Sequence, residues 1–202
     1  GSVCDGDIIM TILALALLKE GKLRENTLVT TVMSNFGLEQ MAAENGIVLE
    51  RTQVGDRYVM ERMREGDFNL GGEQSGHIIL REHSTTGDGM LSALQLLQAL
   101  NGRGQSLAEA RQVVKICPQV LKNAHVSSES AKRKIMGHSK LSRKIKEIEG
   151  VLGKDGRVLV RSSGTEPLVR VMLEGNDTEE INGYADELLA LVYSLDRDSR
   201  EN

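Results

Sequence analysis

Helical and strand-like segments alternate through the first hundred residues, and this alternation restricts the fold more than any other feature of the sequence. Helices are predicted over residues 7–19, 35–45, 56–64 and 87–100, and strands over 27–33, 47–52, 68–71 and 78–81. Such alternation is typical of a three-layer α/β domain with a mostly parallel sheet. We therefore expect ligand-binding loops beyond the carboxyl ends of these strands.

The second half of the chain has a different pattern. Strands are predicted over residues 120–126, 157–161 and 168–173, and helices over 139–149 and 178–195, followed by a polar tail that is expected to fray. This pattern predicts a small α+β domain, an antiparallel sheet backed by two helices. Asn101-Gly-Arg-Gly104 breaks the helical pattern. We expect domains at 1–101 and 109–202, joined by a linker at 102–108.

Charge and composition argue against two classes of partner. The net charge is −4, and no aromatic residues for base stacking interrupt the basic cluster at Lys132-Arg-Lys134, which is interpreted as a solvated helix face. No apolar run has membrane-spanning length. We therefore expect neither nucleic acid nor a membrane as a partner. Cys4 and Cys117 are far apart in sequence, which favours a reducing, cytoplasmic location.

The loop Arg161-Ser-Ser-Gly-Thr-Glu-Pro167 lies between the last two predicted strands. Its hydroxyl groups, its glycine and the Arg161 guanidinium are the groups that bind a phosphate monoester. Arg170 adds a second positive charge close by in the sequence. The alternative is an ordinary polar hairpin turn, and the loop alone does not separate the two.

A second motif, Gly71-Gly-Glu-Gln-Ser-Gly-His77, contains three glycines, which indicates unusual backbone conformations or close contact with a ligand. Glu73 and Ser75 are two residues apart, so both can face a sugar. His77 is a candidate general acid or base. The alternative, a glycine-rich hairpin with a surface histidine, is preferred when this motif is taken alone.

Two further segments have both functional and structural interpretations. Arg57, in a loop at a predicted strand end, can bind a sugar phosphate or a carboxylate, or lie on the surface of a helix start. Asp5-Gly-Asp7 precedes an apolar helical pattern. We interpret Asp5 as an N-cap and Asp7 as a favourable first-turn charge, and predict no metal site in the chain.

The two glycine-containing motifs, in this order, resemble the C-terminal half of the α-D-phosphohexomutases. Val54-Gly-Asp-Arg-Tyr-Val59 and Thr85-Thr-Gly-Asp-Gly-Met90 resemble further family segments. At Gln74 and Gly164 the sequence resembles one branch of this family more than the others. That branch interconverts glucosamine 6-phosphate and glucosamine 1-phosphate, on the route to UDP-N-acetylglucosamine. Branches acting on mannose or glucose phosphates remain alternatives, as does a stand-alone sugar-phosphate-binding module.

The resemblance implies four domains in the complete enzyme, of which this chain matches the third and fourth. The family's phosphorylated serine and its Mg²⁺-binding loop belong to the first two, and the sequence Ser-His-Asn does not occur here. The missing N-terminal domains are therefore an expected partner, and Gly1-Ser2 is interpreted as a cloning remnant. The resemblance implies that the chain recognises the substrate. The phosphate would be held by Arg161, Ser163, Gly164, Thr165 and Arg170. The sugar would be held by Glu73, Ser75 and Arg57, and a proton would be moved by His77.

Overall fold

A computed structural model describes the backbone of residues 3–201 and the side chains of residues 3–199. Gly1, Ser2 and Asn202 lie outside the described residues, and with them the proposed cloning remnant. The chain divides into two compact units, with the division between Ile116 and Cys117. No helix among the described residues combines the length and apolar character that crossing a membrane requires.

The first unit is an α/β domain around a four-stranded sheet of order β2-β1-β3-β4. Its elements are α1 (Gly6–Lys19), β1 (Thr27–Thr31), α2 (Gly37–Asn45), β2 (Val48–Thr52), α3 (Asp56–Glu65), β3 (Leu70–Gly72), β4 (Ile78–Leu80), α4 (Gly89–Arg103) and α5 (Leu107–Ala110). β1 is parallel to β2 and β3, and only β3 and β4 pair in antiparallel fashion. The predicted mostly parallel α/β sheet is confirmed.

Alternation of side chains along β1 creates the two apolar layers. Leu28 packs with residues of α1 and α2, including Leu13 and Leu38. Its neighbour Val29 packs with Val59 and other residues of α3. Because successive strand side chains point to opposite faces, the sheet is covered by helices on both sides.

Local capping agrees with the sequence. The Asp5 side chain accepts a hydrogen bond from Ile8 N at 3.1 Å, as expected of the N-cap of α1. Gly46 ends α2 in the left-handed conformation, at φ 68°. Ser106 and Glu109 form a capping box at the start of α5.

The segment between α4 and the second unit packs within the first unit. The predicted linker, residues 102–108, includes the last residues of α4 and the first residues of α5. Ala110 is buried with Ile8, Ile12 and Leu100, and the contacts divide only after Ile116.

The second unit is an antiparallel sheet of order β5-β7-β6 with helices. Its elements are β5 (Gln119–His125), α6 (Glu129–Met136), α7 (Ser139–Leu152), β6 (Arg157–Ser162), β7 (Leu168–Glu174) and α8 (Thr178–Glu201). The predicted α+β class is confirmed, but the described residues contain three helices instead of two. α6 is the additional helix, and Ile135 anchors it in the core with Val169 and Leu188.

The prediction that residues 196–202 fray is wrong for the part that the structure describes. α8 continues to Glu201. Asp196 is buried and accepts hydrogen bonds from Ser127 N at 2.9 Å and Ser127 Oγ at 2.7 Å. These bonds fix the segment between β5 and α6 to α8, so a residue that the sequence places in a polar tail has a tertiary role.

Candidate functional site

The loop between β3 and β4 is a tight turn that carries the Gly71–His77 motif. Gly76 N donates to Glu73 O at 2.9 Å, and Glu73 N donates to His77 O at 3.1 Å. Gly76 has φ 98°, a conformation that residues with a side chain rarely adopt. Glycine at this position therefore lets the chain reverse within the motif.

The first turn of α1 lies directly against this loop. Gly6 N donates to Gln74 O at 2.9 Å. A Cβ atom at Gly6 would overlap Glu73 O and lie 2.8 Å from Gly76 N. Gly6 is thus required for the close approach of helix and loop, a role that sequence analysis missed because it treated Asp5-Gly-Asp7 only as a helix start.

Glu73 and Ser75 line one cavity of about 420 Å³. Its other lining residues are Asp5, Thr31, Met33, Val54 and Gln74. Glu73 Oε1 accepts a hydrogen bond from Gly55 N at 3.1 Å, which ties the motif to the loop before α3. The structure therefore brings the two predicted sugar-binding side chains together at the carboxyl end of β1, where the fold predicts a ligand loop.

Arg57 and His77 lie apart from that cavity. Arg57 lines a second cavity of about 750 Å³ beside α3, and its guanidinium is 4.8 Å from the centre of the Tyr58 ring. His77 Nε2 is 3.5 Å from Asp56 Oδ2, and Asp56 also lines the second cavity. The His77 ring lies against Gly87, where a Cβ atom would overlap it.

Asp7 lies in the first turn of α1, as the sequence predicts, but its side chain is buried. Its Oδ2 accepts a hydrogen bond from Asn35 N at 2.8 Å. Burial raises the pKa of Asp7 to about 6, against the opposing effect of the hydrogen bonds from Asn35 and Ser34. Its Oδ1 is buried without a hydrogen-bond partner.

The acidic residues at the start of α1 do not fit a metal site. Asp5 is engaged with Ile8 N and Asp7 with Asn35 N. Among the side chains that the structure describes, no group of three or more His, Cys, Asp or Glu is placed to hold a metal ion. No step involving Mg²⁺ is therefore assigned to this chain.

The loop between β6 and β7 leaves consecutive amides available. Ser163 N donates to Leu168 O at 2.9 Å, and Leu168 N donates to Glu166 O at 2.8 Å. Within residues 3–201, the amides of Gly164, Thr165 and Glu166 donate no hydrogen bond to the protein. Gly164 and Thr165 are exposed, whereas Ser163 is buried. Successive free amides in a loop form an anion-binding arrangement.

Two arginines lie on the strands that lead into and out of this loop. Arg161 and Arg170 are paired across β6 and β7. Burial is the main cause of the lowered pKa of Arg161, and the positive charge of Arg170 lowers it further. Arg170 Nε is buried without a hydrogen-bond partner, and Arg170 Nη2 is 4.0 Å from Glu166 Oε2. The predicted phosphate residues thus lie at one end of one hairpin.

The interpretation of the basic cluster as a solvated helix face is wrong for Lys132, which belongs to this region. Instead of lying on a solvated helix face, it is 4% exposed, and its Nζ donates to Ser163 O at 2.6 Å and to Glu166 O at 2.9 Å. A sequence signal exists: Ala131 and Ile135 are four residues apart and define the buried face of α6. Lys132 is adjacent to that face.

Comparisons with known proteins identify the family of both units. Residues 5–116 match the family profile described as phosphoglucomutase/phosphomannomutase, alpha/beta/alpha domain III, and residues 119–191 match the C-terminal domain of the same family. The phosphoglucosamine mutase of Acetivibrio thermocellus is 50% identical over 192 residues, 95% of this chain and 42% of the relative. That of Caldicellulosiruptor saccharolyticus is 51% identical over 195 residues, 96% and 43% respectively.

The chain therefore spans less than half the length of these curated relatives. A solved structure of the Aspergillus fumigatus N-acetylphosphoglucosamine mutase has the same fold, with a TM-score of 0.77 at 23% identity, over 95% of this chain and 44% of that one. Since one family profile alone covers more than half of the sequence, and a second covers most of the rest, the chain belongs to the phosphoglucomutase/phosphomannomutase family and carries its third and C-terminal domains.

Proposed function

We propose that this chain is the substrate-recognition half of an enzyme that interconverts glucosamine 6-phosphate and glucosamine 1-phosphate. The observation that carries the proposal is the Arg161–Arg170 pair beside the free amides of residues 164–166. Relatives at about half identity along nearly the whole chain are phosphoglucosamine mutases, which supports the amino sugar as the substrate.

In this proposal Arg161, Ser163, Gly164, Thr165 and Arg170 bind the phosphate that is not being transferred. The paired guanidinium groups neutralise its charge, and amide N–H groups donate to its oxygens. Holding one phosphate fixes the position of the sugar while the other end reacts. Such positioning can contribute several kcal/mol, on the order of 7 in well-oriented intramolecular reactions.

Glu73 and Ser75 are proposed to bind the sugar from the cavity that they share. A carboxylate accepts hydrogen bonds from vicinal hydroxyls and pairs with an ammonium group. Arg57 and His77 are proposed to act from the neighbouring region, Arg57 on the sugar and His77 as the group that moves a proton to or from a sugar oxygen. Glu73 is thus the residue through which an amino sugar is distinguished from a neutral one.

The phosphoserine, the bisphosphate intermediate and Mg²⁺ belong, in this proposal, to the part of the longer relatives that this chain does not cover. A structure of the Aspergillus fumigatus enzyme in complex with GlcNAc-6P and magnesium, with a TM-score of 0.75, supports Mg²⁺ as the metal of the complete enzyme. The N-terminal domains are then the partner of this chain. Cys4 and Cys117 are not joined in a disulfide within the described residues, which agrees with a reducing cytoplasmic location.

The proposal is tested by titrating the isotopically labelled chain with glucosamine 6-phosphate while amide chemical shifts are recorded. We expect residues 161–165 and 71–77 to respond. Inorganic phosphate should shift only 161–165, because it lacks the sugar. Glucose 6-phosphate and mannose 6-phosphate should shift 71–77 less than glucosamine 6-phosphate does.

Three results would contradict parts of this proposal. Absence of any response at 161–165 would remove the phosphate site. Equal responses of 71–77 to all three sugars would favour the phosphoglucomutase and phosphomannomutase branches or a general sugar-phosphate-binding module. Isomerisation of glucosamine 6-phosphate by the pure chain would show that recognition is not its only role.

A further inference from the structure

We infer that Lys132 is a positioning residue for the phosphate-binding loop, residues 163–166. The inference rests on the proposed function, and it concerns a side chain that lies behind the loop. Lys132 belongs to α6, which follows β5, whereas the loop joins β6 to β7. The contact therefore connects two elements that are distant in sequence.

The bonds of Lys132 use its full donor capacity. Its Nζ donates to Ser163 O at 2.6 Å, to Glu166 O at 2.9 Å and to Glu129 Oε1 at 2.8 Å. An ammonium group has three N–H donors, so each is matched with one acceptor. A buried charge with this set of partners is stabilised where an unpaired one would be strongly destabilising.

The two carbonyl groups bracket the amides that remain free. Carbonyl oxygens repel a phosphate, so an anion-binding loop needs its carbonyls directed away from the ligand. Lys132 holds those of Ser163 and Glu166 on its own side of the loop. The amides of Gly164, Thr165 and Glu166 have no protein acceptor among residues 3–201 and stay available. Lys132 thereby fixes the loop in its binding conformation before the ligand arrives, which lowers the entropic cost of binding.

Lys132 is itself held by a rigid helix. Ser128 caps α6 by accepting a hydrogen bond from Ala131 N at 3.1 Å. Ile135 is buried in the core of the unit. Val126 N, just before α6, donates to Pro167 O at 2.9 Å, so the same connection also holds the far end of the loop. Residues on a packed helix position a site more precisely than residues on another loop.

The test compares Lys132→Met with Lys134→Met in the 202-residue chain. Both changes remove one positive charge from α6, but Lys134 is exposed and, among the residues that the structure describes, makes no hydrogen bond or ion pair. Dissociation constants for inorganic phosphate are measured from the shifts of amides 161–166, and thermal unfolding is recorded in parallel. We expect Lys132→Met to weaken phosphate binding roughly 10-fold, through loss of preorganisation, and to shift amides 163–166 before phosphate is added.

A purely structural role predicts something else: a lower melting temperature with an unchanged dissociation constant for the folded protein. That result, or equal dissociation constants in the two variants, would overturn the inference. If Lys132→Met does not fold, Lys132→Gln is measured, since its amide can still donate to one carbonyl; the same weakening is expected, and binding equal to that of Lys134→Met again overturns it. If neither the unmodified chain nor Lys134→Met binds phosphate, the proposed phosphate site itself is wrong and the role of Lys132 falls with it.

Discussion

Arg161 and Arg170 lie directly opposite each other on β6 and β7, so one cross-strand pair contains two positive charges. Like charges in this arrangement are destabilising. The pKa of Arg161 is lowered first by burial and then by the charge of Arg170, in agreement with a repulsive pair. An anion bound beside both groups would offset the repulsion, which connects the stability of the second unit to phosphate.

We expect inorganic phosphate to raise the melting temperature of the chain, and Arg161→Met to abolish most of this gain. At a phosphate concentration 100 times the dissociation constant, binding stabilises the folded state by about 2.7 kcal/mol. Without phosphate, Arg161→Met should be neutral or slightly stabilising, because it removes the like-charge repulsion and keeps an apolar stem. Thermal unfolding with and without phosphate measures both effects.

Arg143→Met is the matched control for this prediction. Arg143 is exposed on α7, so the change in net charge is the same but the Arg161–Arg170 pair stays intact. The control should keep the phosphate-dependent gain. An equal gain in Arg161→Met and Arg143→Met would show that phosphate does not bind at the arginine pair.

Gly6→Ala is expected to displace the sugar-binding loop while leaving the phosphate-binding loop unchanged. The new Cβ atom would overlap Glu73 O and crowd Gly76 N. Inserting a methyl group into such a contact destabilises a protein by roughly 1–3 kcal/mol. Chemical denaturation measures the loss, and amide spectra should show changes at residues 73–77 but not at 161–166.

Gly89→Ala provides the control for Gly6→Ala. Gly89 is also in the first turn of a helix, but a Cβ atom there has no neighbour within 4 Å. We expect this substitution to leave the free energy of unfolding unchanged or to raise it by about 0.4–1 kcal/mol, since it restricts the unfolded chain. A similar loss in both variants would mean that the contact between α1 and the loop is not responsible.

Local sequence patterns predicted most of the fold because local physics determines those elements. Alternating apolar segments and the Asp5 cap act over a few residues, and the structure contains each of them. The mostly parallel sheet followed from helices between strands. The candidate ligand-binding groups of the two loops could be recognised in the sequence because their glycines and polar residues are consecutive.

The features that the sequence did not reveal depend on burial by distant segments. Lys132 belongs to a basic cluster, and only the position of the loop 163–166 makes it a buried donor. Asp7 looks like a helix-start charge, but Asn35 and the core around α1 bury it. Asp196 looks like part of a polar tail until Ser127 is placed beside it. Each partner is far away in sequence, so no local pattern indicates it.

The buried Asp7 should make the first unit less stable as the pH rises. The pKa of Asp7 is about 6 in the folded chain, against an ordinary value of 3.8, so the folded state binds more protons than the unfolded state between these pH values. The contribution of Asp7 is therefore fully present below pH 4 and is lost as the pH rises through about 6. The difference between the two pKa values corresponds to a change in the free energy of unfolding on the order of 3 kcal/mol.

Asp7→Asn isolates this effect, because the amide remains uncharged at every pH. The charged neighbours that face Asp7, Asp5 and Arg51, are retained in the variant. We expect the free energy of unfolding of Asp7→Asn, relative to the unmodified chain, to increase between pH 4 and pH 7. A difference that does not vary with pH would contradict the raised pKa of Asp7. The variant must be compared with the unmodified chain because Asp67 has the opposite effect in both proteins. Its pKa is lowered by Arg81, so Asp67 makes the free energy of unfolding rise with pH.

Glu73→Gln should reduce the preference for amino sugars without breaking the loop. Glu73 Oε1 accepts a hydrogen bond from Gly55 N, and a glutamine oxygen can keep this bond while the negative charge is lost. If Glu73 pairs with the sugar ammonium group, the affinity for glucosamine 6-phosphate should fall roughly 10- to 100-fold, since a hydrogen bond to a charged group contributes about 1.5–3 kcal/mol. The affinity for glucose 6-phosphate should change little.

Calorimetric titration with the two sugars measures this selectivity, and Glu44→Gln is its control. Glu44 is exposed on α2 and lines neither of the two cavities described above, so the substitution removes the same charge but leaves both proposed substrate-binding cavities intact. We expect the control to keep the preference for glucosamine 6-phosphate. An equal loss of affinity for both sugars in Glu73→Gln would show that the carboxylate recognises the shared hydroxyls, and the basis of amino-sugar selection would then lie at another residue.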